Sequence, residues 1–287
     1  MVRMLDFIKD REKIYFIGEI GINHNGDIQN AKKLIDAVNA CGWDCAKFQK
    51  RNPDICVPEH QKGLPRKTPW GEMTYLEYKH RVEFTTKEYD IINQYCSEKP
   101  VDWSASVWDL ESLEFLLNYD VPFLKIPSAL ITNTELVAES SRVNKPIIIS
   151  TGMSTIEEVD KAVETVTKYN NELVIMHTNS SYPTPNCELN LSLIPVLKQR
   201  YGYMVGYSGH EKNLEPTVMA VTLGARVVER HITLSHEMWG TDQKASLEVH
   251  AMHMLRKRCE QVDTILGSPE KKVTPSEVPI RKKLRGT

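Results

Sequence analysis

The sequence lacks long apolar runs, paired cysteines and an excess of charge of either sign. Its longest apolar runs, such as residues 146–149, are far too short to cross a bilayer, and charges interrupt the first residues, which leaves no signal-peptide core. Lys and Arg number 36 against 38 Asp and Glu, a net charge of −2, so no overall attraction to nucleic acid or an anionic membrane is expected. The six cysteines are scattered, with no CxxC pair and no disulfide-dense spacing. These absences predict a reduced, soluble, cytoplasmic protein without nucleic-acid or membrane partners.

What the sequence does contain is an alternation of short β-rich runs with longer stretches of helical periodicity. The predicted strands cover residues 15–22, 44–49, 101–107, 123–127, 146–151, 172–178, 203–208 and 225–232. Strands that alternate with helices indicate a parallel sheet covered on its faces, which is either an open doubly wound sheet or a closed barrel. Eight strands in 287 residues, close to the roughly 250 of a typical TIM barrel, leave nothing for another domain. We therefore predict an α/β fold, a single-domain (β/α)₈ TIM barrel over residues 15–270, with an N-terminal extension over 1–14 and a polar C-terminal tail over 271–287.

Several predicted helices have recognisable starts. Asp27 is placed to cap a helix that ends near Gly42. Thr155 with Glu158, and likewise Thr85 with Glu88, has the spacing of a capping box. A last helix is predicted over residues 246–266. Residues 51–79 are too long for an ordinary connection and are expected to form a functional or disordered loop on the active-site rim.

Polar residues follow the predicted strands at the end where TIM-barrel active sites lie. Lys47 and Lys125 stand in strongly apolar strand sequence, where a lysine is costly unless it is paired. Two lysines with several hydroxyls and glycines at one mouth suit a ligand that carries a phosphate and a carboxylate. For either lysine alone, a surface position near a strand end is the alternative.

Imidazoles and carboxylates complete this inventory. His210 and His231 end neighbouring strands and could reach one ion, for which two imidazoles favour a borderline divalent metal; ordinary rim histidines are the alternative. Glu19, inside strand 1, is costly to bury unless it takes part in the reaction; an ion pair with one of the lysines is the alternative. Asp242 lies in a loop after strand 8, where on pattern alone a simple turn residue is the favoured interpretation.

Together these residues resemble the sialic acid synthase family, which comprises N-acetylneuraminate, legionaminate and pseudaminate synthases. The matching motifs are GEIGINHNG at 18–26, AKFQ at 46–49, LKIPS at 124–128, STGM at 150–153, YPTP at 182–185, GYSGH at 206–210, ERH at 229–231 and GTDQKASLE at 240–248. They follow one another in family order. The resemblance covers residues 15–270 or thereabouts.

The resemblance implies a (β/α)₈ barrel with a role for each matched residue. It implies that His210 and His231 bind one divalent metal ion, with Mn²⁺ as first candidate ahead of Mg²⁺, Co²⁺, Fe²⁺ and Zn²⁺. The residues that would hold phosphoenolpyruvate are Lys47, Lys125, Ser128, Ser150, Ser180 and Ser208, with Ser180 where the family often has Asn. Those that would face the sugar or the reacting carbon are Glu19, Gln49, Tyr182 and Asp242, of which Glu19 and Asp242 are the catalytic candidates.

The implied activity is a metal-dependent condensation of phosphoenolpyruvate with an open-chain sugar aldehyde, giving a sialic-acid-like 2-keto-3-deoxy acid and phosphate. Family members usually carry a C-terminal antifreeze-like domain that caps the partner subunit's site. The motifs here end with the barrel, so the chain is either truncated or a member of a shorter branch, and the polar tail over residues 276–287 favours the shorter branch. If the chain forms a homodimer, we expect the dimer to form without that domain swap.

Two other functions stay open on the residues alone. One is a metal-dependent barrel aldolase, lyase or hydrolase that acts on a sugar without phosphoenolpyruvate. It could use the two histidines and Glu19 but would have little use for Lys47 and Lys125. The other is a catalytically silent barrel used for assembly or regulation, against which the intact set of polar strand ends argues.

Overall fold

The computed structural model describes residue 4 and residues 13–170 and 172–286. Its strands are β1 (Tyr15–Gly21), β2 (Cys45–Lys50), β3 (Pro65–Thr68), β4 (Gly71–Thr74), β5 (Asp102–Val107), β6 (Leu124–Ile126), β7 (Ile147–Ser150), β8 (Leu173–Thr178), β9 (Met204–Gly209) and β10 (Val227–His231). Eight of these close into a parallel barrel in the order β1-β10-β9-β8-β7-β6-β5-β2, while β3 and β4 form a separate antiparallel pair. The prediction of a closed (β/α)₈ barrel is confirmed, with each of the eight predicted strands displaced by no more than two residues. Most of the predicted N-terminal extension lies outside the described residues.

The helices lie between the barrel strands and around them. They are α1 (Ile28–Ala40), α2 (Pro53–Cys56), α3 (Glu59–Lys62), α4 (Tyr75–Val82), α5 (Thr86–Ser97), α6 (Leu110–Leu116), α7 (Thr134–Arg142), α8 (Ile156–Thr167), α9 (Leu193–Tyr201), α10 (Glu215–Thr222), α11 (Val249–Glu260), α12 (Val262–Leu266) and α13 (Glu277–Arg285). Within the described residues, each helix is too short or too polar to cross a bilayer.

The predicted helix starts are confirmed. The Asp27 carboxylate accepts a hydrogen bond from the Gln29 amide at 2.8 Å at the start of α1. Capping boxes open α5 at Thr85 and α8 at Thr155. In each box the glutamate three residues later accepts from the backbone amide of the threonine, so an otherwise unpaired helix-terminal donor is satisfied.

The prediction of a loop over residues 51–79 is wrong in detail, because this segment is folded. Asn52 caps α2, whose first residue is Pro53, and a capping box at Thr74 opens α4. Between them β3 and β4 pair from Pro65 to Thr74. Local capping and turn residues therefore give the segment an ordered structure on the rim.

The C-terminal prediction also needs correction. The last helix predicted over 246–266 is divided into α11 and α12, and it starts later because Leu247 bridges to Ile232 in extended form. The predicted polar tail contains α13, at whose start Glu277 accepts from the amide and hydroxyl of Thr274, each at 2.8 Å.

The hydrophobic core has two layers that meet at the barrel wall. One layer fills the space between strands and helices. The other closes the barrel interior at the amino ends of the strands, with Tyr15, Phe123, Ile148, Val174 and Met176 among its members. Since side chains alternate along a strand, the next inward positions toward the carboxyl ends form a separate inner layer. That layer carries the polar residues.

Candidate active site

Four charged side chains fill the inner layer of the barrel mouth. Lys47 Nζ lies 2.5 Å from Glu19 Oε2 and 3.7 Å from Glu229 Oε2, and Lys125 Nζ lies 3.7 Å from Glu229 Oε1. All four side chains are buried. Isolated charges would be costly here, so alternating signs around one cavity are what makes their burial tolerable.

The two lysines differ in their electrostatic surroundings. Burial opposes the charge on Lys47, but the carboxylates of Glu19 and Glu229 outweigh it and raise the pKa of Lys47 above its ordinary value. Burial, with a contribution from the neighbouring Lys47 ammonium, lowers the pKa of Lys125 to about 8 against the pull of Glu229. Although burial opposes ionisation of Glu229, the ammonium groups of Lys125 and Lys47 hold the pKa of Glu229 below its ordinary range. The mouth therefore contains one firmly charged lysine and one whose charge is easily lost.

Hydroxyl groups surround the two ammonium groups. Lys47 Nζ donates to Ser106 Oγ at 3.0 Å, and Lys125 Nζ donates to Ser150 Oγ at 2.6 Å. Ser208 Oγ donates to Glu229 Oε1 at 3.1 Å. These donors converge from neighbouring strands on the same small space.

Ser128 and Ser180 approach one another across Gly152. The amide of Gly152 donates to Ser128 Oγ at 3.1 Å. A Cβ at position 152 would lie 2.2 Å from Ser180 Oγ and 2.9 Å from Ser128 Oγ, so only glycine lets both hydroxyls reach this rim. Five of the six residues predicted for the phosphate ligand line one cavity, and the sixth, Ser150, accepts a hydrogen bond from Lys125 of that lining.

The imidazoles of His210 and His231 are also neighbours, with ring centroids 5.3 Å apart. Both side chains are buried. Burial, with the adjacent His231, lowers the pKa of His210 to about 3, so this imidazole is neutral at pH 7. Neutral imidazole is the form that binds a metal ion.

The hydrogen bonds of these rings fit the requirements of a metal site. His210 Nδ1 lies 2.5 Å from the Asn179 carbonyl, which can only accept, so Nε2 carries the lone pair and faces the Tyr182 hydroxyl at 2.9 Å. His231 Nδ1 is buried without a hydrogen-bond partner. Among residues 13–170 and 172–286, no three His, Cys, Asp or Glu side chains together form a cluster able to hold an ion. Water and substrate oxygens would therefore have to complete the coordination.

The residues predicted for the sugar lie above this layer. Gln49 Nε2 donates to Glu19 Oε1 at 3.0 Å. The Tyr182 ring packs 4.0 Å from the His210 ring and is 46% exposed, so it faces the entrance. Asp242 Oδ2 lies 3.9 Å from His231 Nδ1, which places its carboxylate at the site rather than in an isolated turn. For Glu19, the ion pair with Lys47 that the sequence left as an alternative is present.

The mouth cavity, as we call the space inside this ring, measures about 210 Å³. Its lining residues are Glu19, Lys47, Gln49, Ser106, Trp108, Lys125, Pro127, Ser128, Ala129, Met153, Thr178, Ser180, Tyr182, Ser208, His210, Glu229 and His231. Every predicted site residue is in this set except Ser150, which accepts a hydrogen bond from Lys125, and Asp242, which lies 3.9 Å from His231.

Sequence reasoning missed Glu229, Ser106 and Trp108. The signal for Glu229 was its position two residues before His231, which puts both side chains on the inner face of β10. Ser106 pairs in register with Lys125 across β5 and β6, a relation that becomes visible only once the neighbouring strands are known.

The sequence profile of the NeuB family matches residues 34–271, which is most of the barrel and both strand ends that carry the imidazoles. The chain belongs to the NeuB family.

The named relatives are synthases of related acids. The chain is 40% identical over 250 residues to the N-acetylneuraminate-9-phosphate synthase of Drosophila melanogaster. The alignment covers 85% of the chain and 66% of that protein. It is 33% identical over 271 residues to the N,N'-diacetyllegionaminic acid synthase of Campylobacter jejuni, in an alignment that covers 93% of the chain and 81% of that protein. The crystal structure of the N-acetylneuraminic acid synthetase of Leptospira borgpetersenii superposes with a TM-score of 0.85 at 28% identity, covering 96% of the chain and 94% of that structure.

These likenesses confirm the predicted family. The NeuB-family chain is an enzyme of the sialic acid synthase type, a transferase. It spans about two thirds of the Drosophila relative. The named relatives support a condensation that uses a sugar, and give no support to a silent barrel.

Another buried ion pair holds the strand ends that carry the imidazoles. Arg230, next to His231, places Nη1 2.9 Å from Oε1 of Glu211, which follows His210, and both side chains are fully buried. Tyr207 Oη donates to Glu211 Oε2 at 2.8 Å. The pair therefore joins β9 and β10 just behind the two histidines.

We predict that Arg230→Leu lowers the free energy of unfolding by about 3–5 kcal/mol, because it leaves the Glu211 carboxylate buried without its partner. Urea denaturation measures the change. The matched control is Arg258→Leu, which removes the exposed pair with Glu215 and should cost no more than about 1 kcal/mol. Equal losses in the two variants would contradict the assignment.

Proposed function

We propose that this chain condenses phosphoenolpyruvate with the aldehyde carbon of an open-chain aldose, giving a sialic-acid-like 2-keto-3-deoxy acid and inorganic phosphate. The observation that carries the proposal is the convergence of two lysines, a ring of hydroxyls and two imidazoles on the mouth cavity. A lyase or hydrolase that uses no phosphoenolpyruvate would have no need of the lysines and serines.

In the proposed complex, phosphoenolpyruvate occupies the depth of the mouth cavity. Lys47 and Lys125 offset its negative charges, and Ser128, Ser150, Ser180 and Ser208 supply directed hydrogen bonds. Because Lys47 and Lys125 come from strands and are buried, they are already oriented before the ligand arrives. The enol C3 is thereby held toward the entrance.

The aldose binds above it, against Gln49, Tyr182 and Asp242. Glu19 lies at the boundary between the two substrates, since its carboxylate contacts both Lys47 and Gln49. This position suits a group that accepts a proton from attacking water.

One divalent metal ion is proposed to bind at His210 and His231, with Mn²⁺ as the first choice for two imidazoles with oxygen ligands and Co²⁺, Fe²⁺, Zn²⁺ and Mg²⁺ as the ions to compare. When bound, it would supply Lewis-acid polarisation of the aldehyde oxygen. The unpartnered Nδ1 of His231 and the oriented lone pair of His210 support this assignment.

The proposed reaction forms one carbon–carbon bond and breaks one carbon–oxygen bond. The C2–C3 π electrons of phosphoenolpyruvate form a bond to the aldehyde carbon, whose oxygen becomes an alkoxide. Water adds to the resulting oxocarbenium carbon C2 and gives up a proton to Glu19, which passes it on to the alkoxide. Cleavage of the bond between C2 and the phosphate oxygen then releases inorganic phosphate, which takes up the proton of the C2 hydroxyl, and leaves the 2-keto group. Holding two substrates in line in this way can supply up to roughly 7–11 kcal/mol of the barrier.

The proposal predicts phosphate release that requires phosphoenolpyruvate, an aldose and Mn²⁺ together. Purified protein is assayed with N-acetylmannosamine, its diamino analogues, mannose, arabinose and the phosphates of these sugars. Chelation should stop turnover, and His231→Ala should remove both turnover and Mn²⁺ binding measured by calorimetry, whereas the exposed His253→Ala should keep both. Full activity after chelation, or release from phosphoenolpyruvate without any aldose, would contradict the proposal.

Lys125→Ala should raise the KM for phosphoenolpyruvate by about 10- to 100-fold, because it removes a charge-assisted contact worth about 1.5–3 kcal/mol. Steady-state kinetics measures this at saturating aldose. The control is Lys168→Ala, at an exposed position at the end of α8 and outside the mouth cavity, for which no change in this KM is expected. An unchanged KM for phosphoenolpyruvate in Lys125→Ala would contradict the role of Lys125 in binding it.

Raising the pH through 8 should weaken phosphoenolpyruvate binding. The pKa of Lys125 is about 8, so its ammonium is present below that pH and is lost above it, while Lys47 keeps its charge. The pH profile of kcat/KM for phosphoenolpyruvate reports the ionisation of groups in the free enzyme. Its alkaline limb should therefore show a decrease in kcat/KM as the pH rises through 8. In Lys125→Arg the positive charge persists, and the same limb should flatten; a fall unaltered by that substitution would assign the titration elsewhere.

A further inference from the structure

Two of the matched motifs contain buried residues that the function proposed above does not use. GEIGINHNG at 18–26 continues from β1 into the loop that precedes α1, and GTDQKASLE at 240–248 lies in the loop between β10 and α11. We call residues 22–27 the first loop and residues 232–248 the last loop. Four polar side chains of these loops are at most 4% exposed: Asn23, Thr233, Gln243 and Ser246. Because polar groups are costly to bury unless they are hydrogen-bonded, their partners indicate what they hold in place.

Asn23 joins the two loops through its side-chain amide. Its Nδ2 donates to the Ile232 carbonyl and to Ser246 Oγ, each at 2.8 Å, so both of its donor hydrogens are used. Ser246 Oγ in turn donates to the carbonyl of Asp242 at 2.7 Å. Two successive hydrogen bonds therefore run from the first loop to the backbone of Asp242.

Gln243 makes the reciprocal connection from the last loop. Its Nε2 donates to the carbonyls of Asn23 and Trp239, both at 3.3 Å, and its Oε1 accepts from Thr233 Oγ1 at 2.5 Å. The side chain is completely buried, and both its nitrogen and its oxygen have partners. The residue that directly follows Asp242 is therefore fixed to the first loop and to an earlier part of its own loop.

The carboxylate of Asp242 is oriented by these attachments of its backbone and by one neighbour. Thr241 Oγ1 donates to Asp242 Oδ1 at 2.6 Å, while Asp242 Oδ2 lies 3.9 Å from Nδ1 of His231. The side chain is 17% exposed, so a ligand at the entrance can reach it. Because connecting loops are more mobile than the elements they join, this position depends on what fixes the last loop.

The groups proposed to bind phosphoenolpyruvate do not share this dependence. Lys47 and Lys125 are carried by β2 and β6, and the barrel fixes both strands. A change confined to the last loop should therefore affect the aldose and spare phosphoenolpyruvate. Neither Asn23 nor Gln243 is among the residues that line the mouth cavity, so we expect neither to contact a substrate.

We propose that Asn23 and Gln243 are positioning residues that hold the carboxylate of Asp242 where the aldose binds. This inference rests on the proposed condensation, in which Asp242 contacts the aldose. Both amides act through the backbone of Asp242 and contact no reacting atom. A displacement of about 1 Å can cost on the order of 100-fold in rate, so loss of these hydrogen bonds should impair use of the aldose.

The test uses Gln243→Met, which keeps the length of the side chain and removes its hydrogen bonds. Steady-state kinetics of phosphate release measures both KM values, with the aldose that the wild type turns over fastest among N-acetylmannosamine, mannose, arabinose and their phosphates. The KM for the aldose should rise about 10- to 100-fold. The KM for phosphoenolpyruvate and the affinity for Mn²⁺, measured by calorimetry, should stay at their wild-type values.

Asn170→Ala is the matched control. Asn170 braces the amino end of β8, where its Nδ2 donates to the Lys145 carbonyl at 2.6 Å and its Oδ1 accepts from the Glu172 amide at 2.8 Å. Both substitutions should lower the temperature of unfolding, because each removes hydrogen bonds, but only Gln243→Met should change the KM for the aldose. If Gln243→Met does not fold, Thr233→Val, which removes the hydroxyl that donates to Gln243, serves in its place.

A rise confined to the KM for the aldose supports the inference. A wild-type KM for the aldose with a lower temperature of unfolding assigns Gln243 a structural role alone, which overturns the inference and leaves the condensation standing. Equal rises in both KM values also overturn it, because they indicate a general distortion of the barrel mouth. Absence of phosphate release by the wild type with every sugar overturns the condensation itself, and the inference with it.

Discussion

The site depends on the mutual compensation of four buried charges. Lys47 and Lys125 could not stay ionised inside the barrel without Glu19 and Glu229, nor could the carboxylates without the lysines, because each ion alone would cost several kcal/mol to bury. From this group the contacts spread outward. Glu19 holds Gln49, Gln49 in turn accepts from Arg51, and Arg51 lies on Trp108 at the edge of the mouth cavity. The position of the rim is thus tied to the charges at the centre.

The barrel could be predicted from the sequence because its signals are local and repeated. Eight apolar runs, each ending in polar residues, determine both the strands and the end at which the site lies. Lys47 and Lys125 were recognisable because a lysine within a buried strand requires a partner. Glu229 escaped notice because a glutamate beside an arginine and a histidine looks like an ordinary polar strand end, although its spacing of two residues from His231 places both side chains on one face of β10. Ser106 escaped because its pairing with Lys125 appears only once β5 and β6 are known to be neighbours.

The folded segment after β2 shows where such reasoning fails. Its prolines, lysines and glutamates indicate a loop, and its capping residues, Asn52 and Thr74, are individually weak signals. What organises it is tertiary: Tyr78 and Val82 of α4 pack on Ile22, with Trp239 from the segment after β10 alongside. Contacts between residues so distant in sequence cannot be inferred from local patterns, and the segment takes its position on the rim only through them.

The origin of each group within the chain has a consequence for how such proteins diverge. The charged residues at the centre are carried by barrel strands, where each is constrained by neighbours on both sides. Tyr182 and Asp242 are carried by the segments that connect the barrel strands. Exchange of those connecting segments can alter which acceptor is admitted while the strand-borne machinery is inherited unchanged. One ancestral barrel can in this way give rise to enzymes for a series of different sugars.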